Sequence, residues 1–207
     1  MSIIKELLVE QLQDLLHAET QLTGALPKMA DAANEPKLKE AFHKHLVQTE
    51  GHVERLRSVF ELLGEKAEPK PCKAMMGLIE EGKQTMEQGS EKEPLAADLA
   101  LIAAAQRVEH YEIACYGTVR GLARQLGETN CARLLSHTLG EEESADFLLT
   151  AIADPLVQQA SLDDEGAGVN LENVYLENDD KRVGVRKKRA QKTEKETPVE
   201  TGNRRRA

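Results

Sequence analysis

The stretch LVEQLQDLLHAETQLTGALPKM, residues 8–29, decides the fold of this chain. Its apolar side chains recur at alternating steps of three and four residues, which places them in one stripe along an α-helix. The positions of this stripe are Leu8, Leu12, Leu15, Glu19, Leu22, Leu26 and Met29. Glu19 is the one carboxylate among them, and a buried carboxylate without a partner costs several kcal/mol or becomes protonated. The stripe therefore predicts either a partner for Glu19 inside a helical bundle or water at that level.

Three later segments share this pattern, an apolar helical stripe with polar side chains near its middle. They cover residues 36–63, 94–126 and 130–153, and their polar positions are His45, Thr49 and His52, then Glu109 and Glu112, then Glu142. Gly64 and Gly127 follow two of these segments, as is typical of helix ends. Pro27 predicts a kink or a break near Ala25, and Pro155 predicts the end of the last helix.

The connection between the second and third of these helices is long. Residues 64–94 open with two prolines and contain a short helical segment at about 73–88. Bundles of the ferritin type carry one such crossover between their second and third helices. The predicted fold is therefore all-α: a ferritin-like four-helix bundle with a long crossover that carries a short fifth helix.

The composition favours the same fold. Aromatic residues make up 3% of the chain and Trp is absent, so the core consists of smaller apolar side chains, which suits a helical bundle. No run of about 18 apolar residues occurs, so the sequence predicts no contact with a membrane. The charged, amphipathic start lacks the apolar core of a signal peptide, and the three cysteines lack metal-ligand spacing. We therefore expect a cytoplasmic protein with free thiols.

Charge divides the chain into unlike parts. Residues 181–207 contain eleven Lys and Arg against three Glu, a net charge of +8, so residues 1–180 carry −17 of the total of −9. We predict the bundle at 1–160, an acidic linker at 161–180 and a basic disordered tail at 181–207. The tail favours weak, non-specific contact with nucleic acid, with a merely solvated tail as the alternative.

The polar residues in the four stripes predict a dinuclear metal site. In carboxylate-bridged di-iron and di-manganese bundles, two helices supply one Glu each and the other two supply Glu-x-x-His, whose spacing puts both groups on one face. Carboxylates neutralise the metal charge, and imidazole takes a terminal position. The predicted ligands are Glu19, His52, Glu109, Glu112 and Glu142. The residues predicted to support them are His45, Gln48, Thr49, Asp146 and Tyr116.

Two helices depart from this motif. On the second, Gln48 and Thr49 occupy the region where Glu is expected, and on the last, Ala145 lies where His is expected. These departures favour weak, single or labile occupancy. Tyr116 has two open interpretations, a packing residue or an electron relay. Each carboxylate alone also has a second interpretation, as part of an ion pair in the bundle core.

Four phrases carry a resemblance to a known family: AETQLTGALPKMA (18–30), HLVQTEGHVERLRSVFELLG (45–64), VEHYEIACYGT (108–118) and TLGEEESAD (138–146). They resemble the YciE/YciF family of ferritin-like proteins, over roughly residues 2–160. The resemblance implies a ferritin-like bundle, a homodimer and a link to bacterial stress response, but no settled activity. It also implies ligand positions at Glu19, His52, Glu109 and Glu142, and the Glu109–Glu112 pair is similar to the third helix of rubrerythrins.

Two functions remain open at this point. The first is a di-iron or di-manganese bundle that reacts with oxygen or peroxide. The alternative is a non-catalytic dimeric stress scaffold with a vestigial metal site, which Gln48 and Ala145 favour. Metal content separates the two.

Overall fold

A computed structural model of the chain describes residues 2–163. Within this range all regular structure is α-helical, and the five helices are α1 (Ile3–Ala32), α2 (Pro36–Leu63), α3 (Lys73–Gly89), α4 (Pro94–Gln125) and α5 (Thr129–Asp163). The predicted basic tail and almost all of the predicted acidic linker lie outside the described residues.

The four long helices surround one core in the order α1, α2, α5, α4, with each packed on its two neighbours. The short helix α3 packs against α1 and α4 from outside this ring. The segment from Leu63 to Pro94 therefore carries the chain from α2 to α4, across the bundle. The predicted fold, a four-helix bundle with a long crossover that holds a short fifth helix, is confirmed.

The helix boundaries follow local sequence signals. Ser2 caps α1, since its side chain accepts a hydrogen bond from the backbone N–H of Lys5 at 3.3 Å. Pro36 and Pro94 open α2 and α4, at positions where a missing N–H loses no helical bond. Gly64 ends α2 with φ of 68°, a left-handed conformation that favours glycine.

The predicted end of the last helix at Pro155 and the predicted break near Ala25 were wrong, whereas the kink that Pro27 also predicts stays a prediction. Helix α1 continues through Pro27 to Ala32, and α5 continues through Pro155 to Asp163. A proline inside a helix removes one hydrogen bond and costs about 3 kcal/mol. Here the apolar stripes run past each proline: Met29 is 7% exposed and Leu156 is 9% exposed. Burial of these side chains, at about 2 kcal/mol each, offsets the local cost.

The core is divided into two apolar clusters with polar side chains between them. One cluster includes Leu8, Leu12, Leu15, Val53, Leu56, Tyr116, Val119 and Leu135, and the other includes Leu22, Leu26, Phe42, Leu101, Ile102, Leu149 and Ile152. The buried polar side chains that lie between these stretches in sequence are Glu19, His45, Thr49, His52, Glu109, Glu112, Thr138 and Glu142. Each long helix therefore contributes to one polar layer at the middle of the bundle.

Asp98 is a further buried carboxylate, and it has a structural role. It is 3% exposed and accepts hydrogen bonds from the backbone N–H groups of Asn34 and Glu35, each at 2.8 Å. These bonds attach the turn between α1 and α2 to α4. The attachment sets the height of α1 and α2 relative to α4, and with it the height of the polar layer.

Candidate metal centre

Six side chains of the polar layer bring their oxygen or nitrogen atoms together. They are Glu19 from α1, His45 and His52 from α2, Glu109 and Glu112 from α4, and Glu142 from α5, and all are at most 6% exposed. Five of the six are the ligands predicted from the sequence. The sixth, His45, was predicted to support the ligands rather than to join them.

The six side chains form two overlapping groups. His45, Glu109, Glu112 and Glu142 form one, and Glu19, His52 and Glu142 form the other; within each group the ligand atoms lie within 4.8 Å of one another. Each group thus contains one imidazole, and Glu142 belongs to both. Since a carboxylate has two oxygens, Glu142 is placed to serve two neighbouring ions at once.

Short distances between ligand atoms characterise the second group. His52 Nδ1 lies 2.9 Å from Glu142 Oε1 and 3.3 Å from Glu19 Oε1. Two ligands bound about 2.1 Å from one ion and at right angles to each other are about 3 Å apart. The spacing of these three side chains is therefore that of ligands directed at a common point.

The first group is slightly wider. His45 Nε2 lies 3.3 Å from Glu109 Oε1 and 3.6 Å from Glu142 Oε2. The two imidazole rings are 6.3 Å apart between centroids, although they occupy positions two helical turns apart on α2. His45 thus supplies a second imidazole to the cluster, in place of the one that α5 lacks at Ala145.

Unpartnered atoms show that the residues fit a metal ion. Nine buried nitrogen and oxygen atoms of the six side chains have no well-aligned hydrogen bond within the described residues, including both oxygens of Glu112 and of Glu142 and both nitrogens of His45. Buried polar atoms are paired in the great majority of cases, and an unpaired one costs about 1–3 kcal/mol. A divalent cation would satisfy these atoms together, and oxygen with imidazole is a donor set that iron, manganese and zinc accept.

Burial dominates the ionisation of the carboxyl groups. It raises the pKa of Glu109 and of Glu112 well above the usual range, and the negative charges of Glu142 and Glu19 raise both further. Burial also raises the pKa of Glu19, although the ring of His52 partly opposes it. For Glu142 the opposite holds, because the rings of His52 and His45 outweigh burial and lower its pKa. Without a cation, the α4 carboxyls therefore retain protons.

The two histidines differ in charge. Burial lowers the pKa of His45, and the carboxylate of Glu142 offsets this only in part. Burial also lowers the pKa of His52, but its contacts with Glu142 and Glu19 outweigh burial and raise the pKa to about 10. His52 is therefore an imidazolium at neutral pH in the absence of metal. A metal ion at Nδ1 would replace one of its protons.

A carboxylate and an arginine hold the outer nitrogen of His52. Its Nε2 lies 3.1 Å from Glu141 Oε2, and the same oxygen accepts a hydrogen bond from Arg55 Nη1 at 2.9 Å. Arg55 also donates to the hydroxyl of Thr138. A carboxylate on the outer nitrogen fixes the tautomer that presents Nδ1 to a metal. Glu141 and Arg55 were not predicted from the sequence, although Arg55 lies three residues after His52 and so on the same face of α2.

Two of the residues predicted to support the ligands lie beside the cluster. The hydroxyl of Tyr116, which is fully buried, donates to Glu19 Oε1, and its ring packs edge-on against His52 with centroids 6.3 Å apart. Thr49 is also fully buried, but its hydroxyl donates to the backbone carbonyl of His45 at 2.9 Å. Thr49 therefore stabilises its own helix, whereas Tyr116 positions Glu19.

The other two supporting residues lie farther out. Gln48 is half-buried and lines a small cleft next to His45. Asp146 accepts a hydrogen bond from Gln106 Nε2 at 3.0 Å and lies 3.3 Å from His110 Nε2, at the surface between α4 and α5. The contacts of Asp146 therefore join two helices rather than orient one of the six side chains.

None of the helices α1 to α5 combines the length and the hydrophobicity that crossing a membrane requires.

Comparisons with known proteins identify the family. The model of a family described as a domain of unknown function, DUF892, matches residues 4–162. Protein YciF of Escherichia coli K12 is 47% identical over 154 residues, which cover 74% of this chain and 92% of that protein.

Solved structures agree with this assignment. The crystal structure of the E. coli stress protein YciF has a TM-score of 0.73 and 46% identity, and the match covers 76% of this chain and 99% of that one. YcfI from Rhodopseudomonas palustris has a TM-score of 0.67 and 39% identity, over 72% of this chain and 94% of that one. A protein from Xanthomonas campestris shares the fold at 22% identity, with a TM-score of 0.61 over 79% of this chain and 99% of that one. The chain therefore belongs to the family described as a domain of unknown function, DUF892, and to the YciE/YciF family that its sequence motifs resemble.

Proposed function

We propose that this protein binds a dinuclear iron or manganese centre with the six buried side chains, and that the centre reacts with peroxide or oxygen as part of a stress response. The observation that carries the proposal is the set of nine atoms in one buried layer that lack a well-aligned hydrogen bond within the described residues. Ion-pair contacts account for four of the nine, His45 Nε2, His52 Nδ1 and the two oxygens of Glu142, and leave the other five without a partner there.

The balance between the carboxylate charges and the metal charges favours two bound ions over one. Four carboxylates supply four negative charges, and two divalent cations with two neutral imidazoles balance them. A neutral cluster avoids most of the cost of burying charge in the interior. With a single divalent ion, two negative charges would remain, and the raised pKa values of Glu109 and Glu112 indicate that protons would compensate.

Two redox-active ions that share carboxylates can supply both electrons that reduction of a peroxide bond requires. The residues of this chain provide the surroundings. Glu141 and Arg55 hold His52 in the tautomer that binds metal, Tyr116 holds Glu19, and the apolar clusters above and below the layer exclude bulk water. Metal binding displaces protons from His52, Glu109 and Glu112, so affinity rises with pH.

Metal analysis tests the proposal. Protein purified without a metal-chelating column is loaded anaerobically with iron or manganese, and the bound metal is counted before peroxide consumption is measured. We expect about two ions per chain. Fewer than about 0.2 ions per chain after loading would contradict the proposal. Glu142→Gln should lower metal content strongly, and Glu143→Gln, at the exposed neighbouring position, is the matched control.

The second candidate is a non-catalytic dimeric stress scaffold with a vestigial site. Gln48 and Ala145 favour it, because they replace two residues of the usual motif, and so do the protonated carboxyls of α4. Glu109→Gln separates the candidates. In a scaffold it leaves stability unchanged or raises it, because a buried ionisable group is removed, whereas in a metalloprotein it lowers bound metal.

Assembly and location complete the proposal. The protein acts as a homodimer in the cytoplasm, and exposed apolar side chains such as Phe147, 74% exposed, and Val47, 67% exposed, support a subunit interface. Light scattering of the full chain measures this; a monomer at micromolar concentration contradicts it. The basic tail makes weak, non-specific contacts with nucleic acid, which truncation at Lys181 abolishes and moderate salt weakens.

A further inference from the structure

A narrow cleft between α2 and α5 reaches the cluster from the surface. Its volume is about 40 Å³, and its inner wall includes His45 and Glu109. The lining also includes Lys44 and Leu148, which are exposed, and Gln48 and Ala145, which are half-buried. The cleft thus joins solvent to the first of the two ligand groups.

The inner wall of the cleft is polar and unsatisfied. Both nitrogens of His45 and one oxygen of Glu109 lack a well-aligned hydrogen bond within residues 2–163. These atoms belong to the first ligand group, so a small polar molecule in the cleft would lie beside the ion that this group would hold. An apolar gas pocket would not have such a wall.

The volume limits what can enter. One water molecule needs about 10–15 Å³ of such space, so the cleft holds about three water-sized spheres at most. Hydrogen peroxide and dioxygen, each with two heavy atoms, fit this space. A hydroperoxide with a branched four-carbon group does not.

Ala145 is one of the two alanines in the wall of the cleft. In the usual motif this position on α5 carries a histidine, whose ring occupies more space than a methyl group. Here the side chain ends at Cβ, and the second imidazole of the cluster comes from His45. The position at which this chain lacks the histidine of the motif is therefore a position in the wall of the cleft.

We propose that this cleft is the route by which an oxidant of two heavy atoms reaches the centre, and that Ala145 and Leu148 set its size limit. The inference rests on the proposed function and adds the route and the residues that select the substrate. The reaction to follow is the reduction of one hydrogen peroxide, with two protons, by two ferrous ions. The O–O bond breaks, two water molecules form, and each iron loses one electron.

The first experiment needs no metal. The C2 hydrogen of a histidine ring exchanges slowly with heavy water, and mass spectrometry locates the exchange. Tryptic cleavage after Lys44 separates His43 from His45, and fragment ions separate His45 from His52. Ala145→Leu should slow exchange at His45 by about tenfold, an access barrier of about 1.4 kcal/mol, and leave the exposed His43 unchanged. Ala151→Leu, the same change at an exposed position on α5, is the control.

The second experiment uses iron-loaded protein, full chain. Ala145→Leu should lower the rate constant for oxidation by hydrogen peroxide about tenfold without changing the number of bound ions. Leu148→Ala, at a residue 38% exposed, should do the reverse: it should raise the rate with tert-butyl hydroperoxide more than the rate with hydrogen peroxide. One variant is expected to lower a rate and the other to raise one. A folding defect would lower the rate in both, so it cannot produce this pair of results.

The outcomes separate the two proposals. If neither iron nor manganese binds, the proposed function fails, and the exchange experiment still decides whether the cleft is open. If iron binds but both variants resemble the wild type in exchange and in rate, the route is wrong and the proposed function stands. Equal rates for the small and the bulky peroxide in the wild type would also overturn the size limit.

Discussion

Replacing Glu112 with Gln separates the charge of the buried layer from its shape. The side chain is fully buried, and neither of its oxygens has a hydrogen-bond partner within the described residues. Burial, with the nearby charges of Glu19 and Glu142, raises its pKa well above the ordinary 4.5. In metal-free protein at neutral pH, Glu112 is therefore buried with a proton. A Gln amide has nearly the same shape and needs no proton.

The size of the effect follows from the pKa in the unfolded chain. Above pH 4.5 the unfolded carboxyl is ionised, so each further pH unit adds about 1.4 kcal/mol to the cost of folding with the proton bound. The cost stops growing once the pH passes the pKa of the carboxyl in the folded state. A raised pKa in the folded state contributes stability that is fully present below pH 4.5 and is lost as pH rises toward the folded value. Glu112→Gln removes this dependence.

Thermal denaturation of the metal-free protein measures the gain. In excess chelator, Glu112→Gln should unfold at a higher temperature at pH 7, and each kcal/mol gained corresponds to about 2–4 °C for a domain of this size. The difference should shrink to near zero at about pH 4.5. Glu143→Gln, at an exposed position, should show no comparable trend.

The sign reverses when metal is present. The wild-type carboxylate then gives up its proton and binds the ion, whereas the amide is a poor ligand, so the variant should gain less stability from added iron or manganese. A variant that is no more stable than the wild type without metal at pH 7 would contradict the buried, protonated carboxyl. An equal gain from metal in both proteins would show that Glu112 is not a ligand.

Three further predictions concern the surroundings of the cluster. Arg55→Ala should weaken metal binding about 10- to 100-fold, because the Glu141 carboxylate then loses the partner that aims it at His52; Arg57→Ala, whose partner Glu54 is at the surface, should leave affinity unchanged. Asp98→Ala should lower the free energy of unfolding by about 2–3 kcal/mol, measured with urea, because two backbone N–H groups lose their acceptor; no loss would mean that water replaces it. Removal of the metal from loaded protein with a chelator should lower the melting temperature. The loss corresponds to about 3 kcal/mol for a protein that was loaded at a metal concentration 100 times the dissociation constant. The loss should be larger at pH 8 than at pH 6, because His52 and the α4 carboxyls release protons when metal binds.

The side of each helix on which the cluster residues lie could be predicted from the sequence, because it depends only on the spacing of these residues along the chain. Steps of three and four residues put Glu19, Glu109, Glu112 and Glu142 on the same faces as the core leucines, and the structure places them there. The predicted break before Pro27 and the predicted helix end at Pro155 were wrong for a related reason. Local rules describe the cost of a proline in an isolated helix, whereas the burial of Met29 and Leu156 comes from neighbours that a single stripe does not reveal.

Contacts between helices could not be predicted in the same way. Glu141 lies beside Glu142 in sequence and about 100° away around α5, so it is off the apolar stripe and resembles a surface residue. Its role appears only once α2 is alongside, with His52 and Arg55 facing it. The relative height of α2 and α5 depends on the crossover and on the Asp98 attachment, and neither leaves a periodic signal.

The placement of His45 bears directly on the choice between a metal centre and a scaffold. Judged from the sequence, Ala145 removes a ligand and favours a vestigial site. In the structure the imidazole that α5 lacks is supplied by α2, and each ligand group retains one histidine. If the histidine of α5 had been lost because the site no longer binds metal, one of the two ligand groups would be expected to contain carboxylates without an imidazole. A compensating histidine, together with an opening where the lost ring would lie, is instead consistent with a centre that binds two ions and admits a small reactant beside one of them.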